Sequence, residues 1–287
     1  MTMTLAEAQE FGQRILGKHA CPGTDAVRET DELLCWATGL DRAGLMARPD
    51  DEIDARAESK YARALTQRRD HWPVERIMGF ARFHGREIVL TRDVLVPRPA
   101  TELVVERALE SARRYGCRTA VDVGTGSGCI AVTLAAELPD VHVVATDISP
   151  DALENARQSA ERNGVADRIE FVFGDMVKGL ELGDDIMVVA NLPYVPTNMI
   201  PELPPEILYF EPRLALDGGA DGLKNYYELL HQLSGSVLRA SRLVVELLPE
   251  QEEILAAVLR QRWPKATVEA IRTGPDGETV GLDIGLK

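Results

Sequence analysis

Val121-Asp122-Val123-Gly124-Thr125-Gly126-Ser127-Gly128 runs from an apolar stretch into three alternate glycines. Thr119 to Val123 has the continuous, β-branched character of a strand buried on both faces, and the small apolar residues from about Gly128 to Leu138 read as the helix that follows. The alternation continues downstream. Val141 to Thr146 is expected as a strand, about Pro150 to Asn163 as a helix, and Arg168 to Phe173, Ile186 to Ala190 and Leu243 to Leu247 as further strands. Apolar strands separated by helices imply a mostly parallel sheet covered on both faces. Thr267 to Ile271 and Thr279 to Ile284, joined by the turn-forming Gly274-Pro275-Asp276-Gly277, follow as a hairpin that adds an antiparallel strand.

Upstream of this α/β region the pattern is helical. Ile53, Ala57, Tyr61, Ala64 and Leu65 recur at helical spacing and share one face, and Thr30-Asp31-Glu32-Leu33-Leu34 reads as a helix start that ends near Gly39. Arg82 to Leu90 alternates as a strand or hairpin, and Val94-Leu95-Val96-Pro97-Arg98-Pro99 leads into a helix start at Thr101-Glu102-Leu103. The expected organisation is a helical bundle over 1–72 suited to acceptor recognition, a strand or hairpin hinge over 73–99, and a catalytic α/β domain over 100–287.

The chain has 287 residues, 32 basic against 46 acidic side chains and a net charge of −14. Long-range attraction to phosphates is disfavoured at that balance, which makes nucleic acid an unlikely partner and favours a protein or small-molecule acceptor. No apolar run approaches the roughly 20 residues of a membrane span, so no membrane partner and a cytoplasmic location are expected. Cys21, Cys35, Cys117 and Cys129 lack metal-ligand spacing, so free buried thiols and no metal are expected.

Gly124, Thr125, Gly126, Ser127 and Gly128 form a turn where small residues let the backbone approach a ligand. Cys129 stands where the dinucleotide fingerprint requires glycine, and no phosphate-binding Lys or Arg accompanies the turn. Asp147, after Val143-Val144-Ala145-Thr146, is placed to accept from both ribose hydroxyls. Asp175, after Phe171-Val172-Phe173-Gly174, is placed to accept from an adenine amine, with Met176 on the ring. Acidic residues at the ends of successive strands around one glycine turn point to S-adenosylmethionine. A Rossmann-like, mostly parallel seven-stranded sheet with a C-terminal antiparallel hairpin is the arrangement of class I methyltransferases.

Val189-Ala190-Asn191-Leu192-Pro193-Tyr194 presents an amide, a rigid turn and an aromatic face together. Those groups can hold a planar, weakly nucleophilic nitrogen by accepting its hydrogens and covering its π face. An amide lone pair is delocalised into its carbonyl, so orientation gains more than a general base does. With no titrating group in such a site, little pH dependence of turnover is expected between roughly pH 7 and 9.

The combination resembles the HemK/PrmC-type protein-(glutamine-N5) methyltransferases, which modify the Gln of the Gly-Gly-Gln loop of peptide chain release factors. The resemblance rests on Val74 to Gly79 with Phe83 and Gly85, on Leu95 to Glu102, on Asp122 to Gly128, on Asn191 to Pro196 and on Glu211 to Leu223. It implies that Asn191 and the backbone carbonyl of Leu192 or Pro193 hold the two hydrogens of the substrate amide. Tyr194 would pack against its plane, Asn191 would also touch the cofactor, and Pro97 and Arg98 would contact the acceptor. A release factor is the implied partner. The family usually has Pro where Leu192 stands and an acidic residue where Ala100 stands, and the ending at Thr273 to Glu278 departs from its pattern. Asn-Leu-Pro-Tyr is also similar to the motif of adenine N6-dimethyltransferases of rRNA, so an adenine N6-methyltransferase of RNA or DNA and a paralogous amide methyltransferase are the alternatives.

Overall fold

The computed structural model describes residues 3–18, 25–180, 184–235 and 239–286. They form two compact units: Met1–Gly79 with Pro204–Phe210, and Phe80–Leu203 with Glu211–Lys287.

The first unit contains α1 (Leu5–Lys18), α2 (Ala26–Thr38), α3 (Arg42–Ala47), α4 (Ala55–Arg69) and α5 (Val74–Met78). Ile53, Ala57, Tyr61, Ala64 and Leu65, the face expected from the spacing, are all buried. Ile53, Tyr61, Ala64 and Leu65 pack with Leu5, Leu16, Leu33, Leu34 and Leu45, and the Tyr61 hydroxyl donates to the Ala8 carbonyl at 3.1 Å. The start of α2 lies four residues before the expected Thr30. Asp25 caps it by accepting from the Val27 and Arg28 amides, so Thr30 and Asp31 fall inside the helix. Gly39, at φ 78°, ends it as expected. Burial of Arg68 is balanced by Glu29 at 2.6 Å and by Glu206 at 3.3 Å, the latter from the short helix Pro205–Leu208. That helix is distant in sequence from the rest of its unit, and nothing in the local pattern announces it.

The unit boundary falls at Gly79 instead of Trp72, and the segment expected as a hinge divides. Its first part is α5. The rest begins the second unit with the antiparallel pair β1 (Phe80–Phe83) and β2 (Arg86–Val89).

The second unit then runs α6 (Pro99–Tyr115), β3 (Thr119–Val123), α7 (Cys129–Glu137), β4 (His142–Asp147), α8 (Pro150–Arg162), β5 (Ile169–Phe173) and β6 (Asp184–Ala190). After these come α9 (Lys224–Gly235), β7 (Arg239–Glu246), α10 (Glu252–Arg262), β8 (Thr267–Arg272) and β9 (Thr279–Gly285). Among the described residues the main sheet has seven strands in the order β5-β4-β3-β6-β7-β9-β8. β9 is antiparallel to both of its neighbours, and the other pairs are parallel. The expected Rossmann-like α/β fold is the one observed. α9 and α10 fall where no element is expected.

Alternate residues of the sheet enter two cores. Ala120, Met187 and Val189 join the helices on one side, whereas Val121, Val123, Ile186, Val188 and Ala190 join those on the other. Winding proceeds one way from β3 to β5 and the other way from β6 to β7. The crossover connections therefore part between β3 and β6, which is where open α/β sheets bind ligands. Val123 pairs with Ala190 in register, so Gly124 and Asn191 leave adjacent strand ends side by side.

Candidate active site

The glycine turn is fixed by its own backbone. Gly124 and Thr125 donate to the Thr146 carbonyl at 2.9 Å each, and Gly128 donates to Thr125 at 2.8 Å. Gly126 donates to Asp147 Oδ2 at 2.9 Å, and Asp147 Oδ1 accepts from Ser149 at 2.9 Å. The carboxylate is thereby aimed before any ligand arrives, with lone pairs remaining on both oxygens. Burial raises its pKa against the lowering effect of the amides of Ser149, Gly126 and Ile148. Gly128 serves packing. It sits at φ 83°, and a Cβ there would come within 2.9 Å of the Ala156 backbone on α8.

Asp122 lies beneath the turn, fully buried. Its Oδ2 accepts from the Thr125 hydroxyl at 2.7 Å and from the Ala131 amide at 3.0 Å, whereas Oδ1 has no partner among the described residues. Burial pushes its carboxyl up to about 7, opposed by the bonds from Thr125 and Ala131. A carboxyl raised by burial therefore lies beneath the turn, a group that the sequence reading of the site did not count.

Across the switch point, Asn191 Nδ2 donates to Thr101 Oγ1 at 3.1 Å. The Leu192 amide donates to the Tyr226 hydroxyl at 3.3 Å, and that hydroxyl donates to the Glu246 backbone carbonyl. Asn225 Nδ2 donates to the Pro193 carbonyl at 2.9 Å. Tyr194 is held at both ends. Its hydroxyl donates to Glu246 Oε1 at 2.9 Å and its carbonyl accepts from Gln251 Nε2 at 2.8 Å. Gly222 comes so close that a Cβ would fall 2.2 Å from the Tyr194 carbonyl oxygen, a contact only glycine permits.

Gly124, Gly126, Asp147, Asp175, Met176, Asn191, Leu192 and Pro193 all line one cavity of about 880 Å³. Thr125, Ser127 and Gly128 do not: Thr125 binds Asp122, and the Ser127 carbonyl accepts from Asn155 and Ser159. Tyr194, Pro97 and Arg98 also lie outside the lining. Arg98 pairs with the buried Glu211 at 2.8 Å, and Glu211 takes the Val96 amide at 3.2 Å, so Arg98 ties two segments of the unit together.

Sequence reasoning did not single out Thr101, Asn225, Tyr226, Glu246 or Gln251. Glu246 carried a usable signal: it is an acidic residue at the end of an apolar strand, as Asp147 is. The other four sit on helices or turns with no such mark.

The cavity lining includes the carboxylates of Asp93, Asp147, Asp151, Asp175 and Asp217 against the cations of Arg213 and Lys224. Such a wall favours a cationic ligand and disfavours a diphosphate. Together with the unpartnered Asp122 oxygen beneath the turn, it fits a nucleoside that carries a sulfonium. The sheet order, the switch-point cavity and this electrostatic character define a class I, S-adenosylmethionine-dependent methyltransferase.

Residues 7–79 match the model of the PrmC N-terminal domain, and residues 120–208 match a methyltransferase domain model. A release factor glutamine methyltransferase of Moorella thermoacetica is 38% identical over 262 residues, covering 90% of each chain. Another from Geobacter sulfurreducens is 40% identical over 204 residues, covering 70% of this chain and 69% of its own. The chain belongs to the release factor glutamine methyltransferase family. Among solved structures, the hMettl16 catalytic domain in complex with a MAT2A 3'UTR hairpin superposes with a TM-score of 0.56 at 16% identity, covering 85% of this chain and 84% of that one. The N-terminal domain of human METTL16 in complex with SAH gives 0.50 at 17% identity, covering 83% and 86%. These two likenesses concern the fold.

Proposed function

We propose that the chain methylates the side-chain amide nitrogen of the Gln in the Gly-Gly-Gln loop of peptide chain release factors. The observation that carries this reading is the orientation of Asn191. Its Nδ2 is spent on Thr101, so its Oδ1 is the atom left to accept a hydrogen from a planar amide. The second acceptor is the backbone carbonyl of Leu192 or the remaining lone pair of the Pro193 carbonyl, whose other lone pair Asn225 takes. Leu at 192 offers the same backbone oxygen as the family's usual Pro, and a backbone oxygen is all the chemistry needs.

S-adenosylmethionine, when bound, supplies an electrophilic methyl on a sulfonium. Asp147 would hold the ribose hydroxyls, Asp175 and Met176 the base, and Gly124 and Gly126 the backbone approach, all on one wall of the cavity. Asn191 and the second acceptor would fix the amide nitrogen opposite them, so that its lone pair points along the line of displacement. Holding both reactants this way can supply several kcal/mol of the barrier through orientation. Tyr194, outside the lining, would support Asn191 and Pro193 from behind. We assign acceptor-protein recognition to the first unit, and the chain's charge supports a protein acceptor in the cytoplasm over a nucleic acid.

The test is single-turnover methylation of a release-factor domain carrying the Gly-Gly-Gln loop, read by intact mass. One methyl per domain, lost in the domain's Gln→Ala variant, is expected. Equal labelling of that control, or preferential labelling of an adenine-containing oligonucleotide, would overturn the assignment.

A further inference from the structure

Two chain segments of the second unit, remote in sequence, complete the lining of the cavity: Asp93 to Leu95, and Pro212 to Ala215 with Asp217. Each rides on a different wall. Val94 and the neighbouring Val96 are buried in one apolar cluster with Ala152, a residue of α8 that lines the cavity on the side of Asp147. The segment 93–96 therefore moves with the cofactor wall. The segment 212–217 moves with the acceptor wall, because the chain leaving the acceptor turn pairs with it. Val195 and Asp217 form a parallel bridge, the Val195 amide donates to the Leu216 carbonyl at 3.0 Å, and the Thr197 hydroxyl donates to Asp217 Oδ1 at 2.6 Å.

Glu211 joins the two. Its side chain is fully buried, its Oε2 accepts from the Val96 amide at 3.2 Å, and its Oε1 accepts from Arg98 Nη2 at 2.8 Å. Arg98 is the N-cap of α6, the helix whose Thr101 takes the Asn191 amide group. A carboxylate held by an amide on one oxygen and a guanidinium on the other is fixed in both place and direction. Pro212, the next residue, already belongs to the acceptor side of the lining.

We infer that Glu211 is a positioning residue for methyl transfer, a buried brace that sets the separation of the two walls and hence the distance from the methyl carbon to the amide nitrogen. The inference rests on cofactor and amide occupying those walls as proposed above. Glu211 does not line the cavity, so it acts only through what it holds. In-line displacement needs the reacting atoms about 3–3.5 Å apart, and a misplacement of about 1 Å can cost about 10²-fold in rate. Each wall keeps its own ties without the brace: Asp147 stays fixed by Gly126 and Ser149, and Asn191 by Thr101. Loss of the brace should therefore slow transfer between bound reactants and leave the binding of each nearly intact.

The test compares Glu211→Gln, Arg98→Met and the double variant with wild type. Single-turnover methylation of the release-factor domain is followed over a range of acceptor concentrations at saturating cofactor, with cofactor affinity by calorimetry and melting temperature in parallel. Each single variant is expected to lower the saturated rate by about ten-fold, with cofactor affinity within about two-fold and the half-saturating acceptor concentration within about three-fold. The double variant should be no slower than the slower single, since both break one brace. Arg98→Met carries the test should Glu211→Gln fold poorly, because the Arg98 side chain is one-third exposed. A lower melting temperature with a wild-type saturated rate would make the pair a matter of folding alone and overturn the brace. So would multiplicative losses in the double variant, a loss confined to cofactor affinity, or a raised half-saturating acceptor concentration at full saturated rate, which would make Arg98 an acceptor contact. Asn191→Ala run alongside separates the two readings. A large loss there with wild-type rates in Glu211→Gln and Arg98→Met removes only the brace, whereas no loss in Asn191→Ala removes the acceptor assignment on which the brace rests.

Discussion

The two walls of the cavity are built by different means. On the cofactor side, the turn is closed by its own amides and by the next strand, and its side-chain ties reach no further than 32 positions: Gly126 to Asp147 spans 21, and Ser127 to Asn155 and Ser159 spans 28 and 32. On the acceptor side, the polar ties start at that length and reach further: Pro193 to Asn225 spans 32, Tyr194 to Glu246 spans 52, Tyr194 to Gln251 spans 57 and Asn191 to Thr101 spans 90. The first wall is a local backbone device. The second is a turn whose side chains are aimed by residues that only the completed fold brings near.

The contrast predicts that substitutions on the acceptor wall cost rate and those on the cofactor wall cost binding. The largest effect belongs to Asn191. Asn191→Ala should cut methyl transfer by about 10²-fold or more, a loss of about 3 kcal/mol in transition-state stabilisation, with cofactor affinity within a few-fold. Asn191→Asp should also be slow, since its carboxylate adds charge that favours a sulfonium ground state over a transition state in which that charge disperses. Single-turnover kinetics with parallel calorimetry decides both. A loss confined to cofactor binding would erase the distinction between the walls.

Asp147→Ala is the mirror case. Cofactor affinity should weaken about ten-fold or more, on the order of the 1.5–3 kcal/mol of a hydrogen bond to a charged group. The transfer rate at saturating cofactor should change far less. Unchanged calorimetric affinity would remove Asp147 from the ribose role.

Legibility in the sequence follows the same division. Strand periodicity, the glycine turn and an acidic residue at a strand end are local signals, so the sheet and Gly124, Gly126 and Asp147 could be placed without coordinates. Gly128 shows the limit of that method: the pattern says glycine, but the reason is the approach of Ala156, not of a ligand. Asn191 was legible because its turn is a compact motif. Thr101 was visible only as part of a helix start, because its partner lies 90 positions away. Arg98 illustrates the converse. It stands in a distinctive motif, yet it serves Glu211, which is as remote. The thiols expected to be buried are so at Cys117 and Cys129, and Cys35 is half-buried. Cys21 lies outside the described residues.

Tyr194→Phe sharpens the comparison at smaller scale. The ring stays, but its hydroxyl no longer donates to Glu246, and a buried carboxylate loses a partner. A loss in transfer rate of about three- to ten-fold is expected, accompanied by a lower melting temperature. A fall in melting temperature with full activity would restrict the tyrosine to folding.

Asp122→Asn should give the smallest change in activity and the most diagnostic change in sign. Its carboxyl is raised from 3.8 to about 7 by burial, so the folded state holds a proton that the unfolded state releases. The resulting contribution to stability is full below about pH 4 and is lost as pH rises through about 7, because the folded state binds more protons across that window. Above it, a buried negative charge opposes folding. Asp122→Asn should therefore melt with wild type near pH 4 and above it at pH 8. The same charge attracts a cationic cofactor, so the variant should bind S-adenosylmethionine a few-fold more weakly at pH 8 while being more stable there. Thermal melts and calorimetry at the two pH values test both signs. Loss of stability at pH 8 together with unchanged affinity would show that Asp122 acts through its bonds to Thr125 and Ala131 alone, and the cofactor wall would then owe nothing to buried charge.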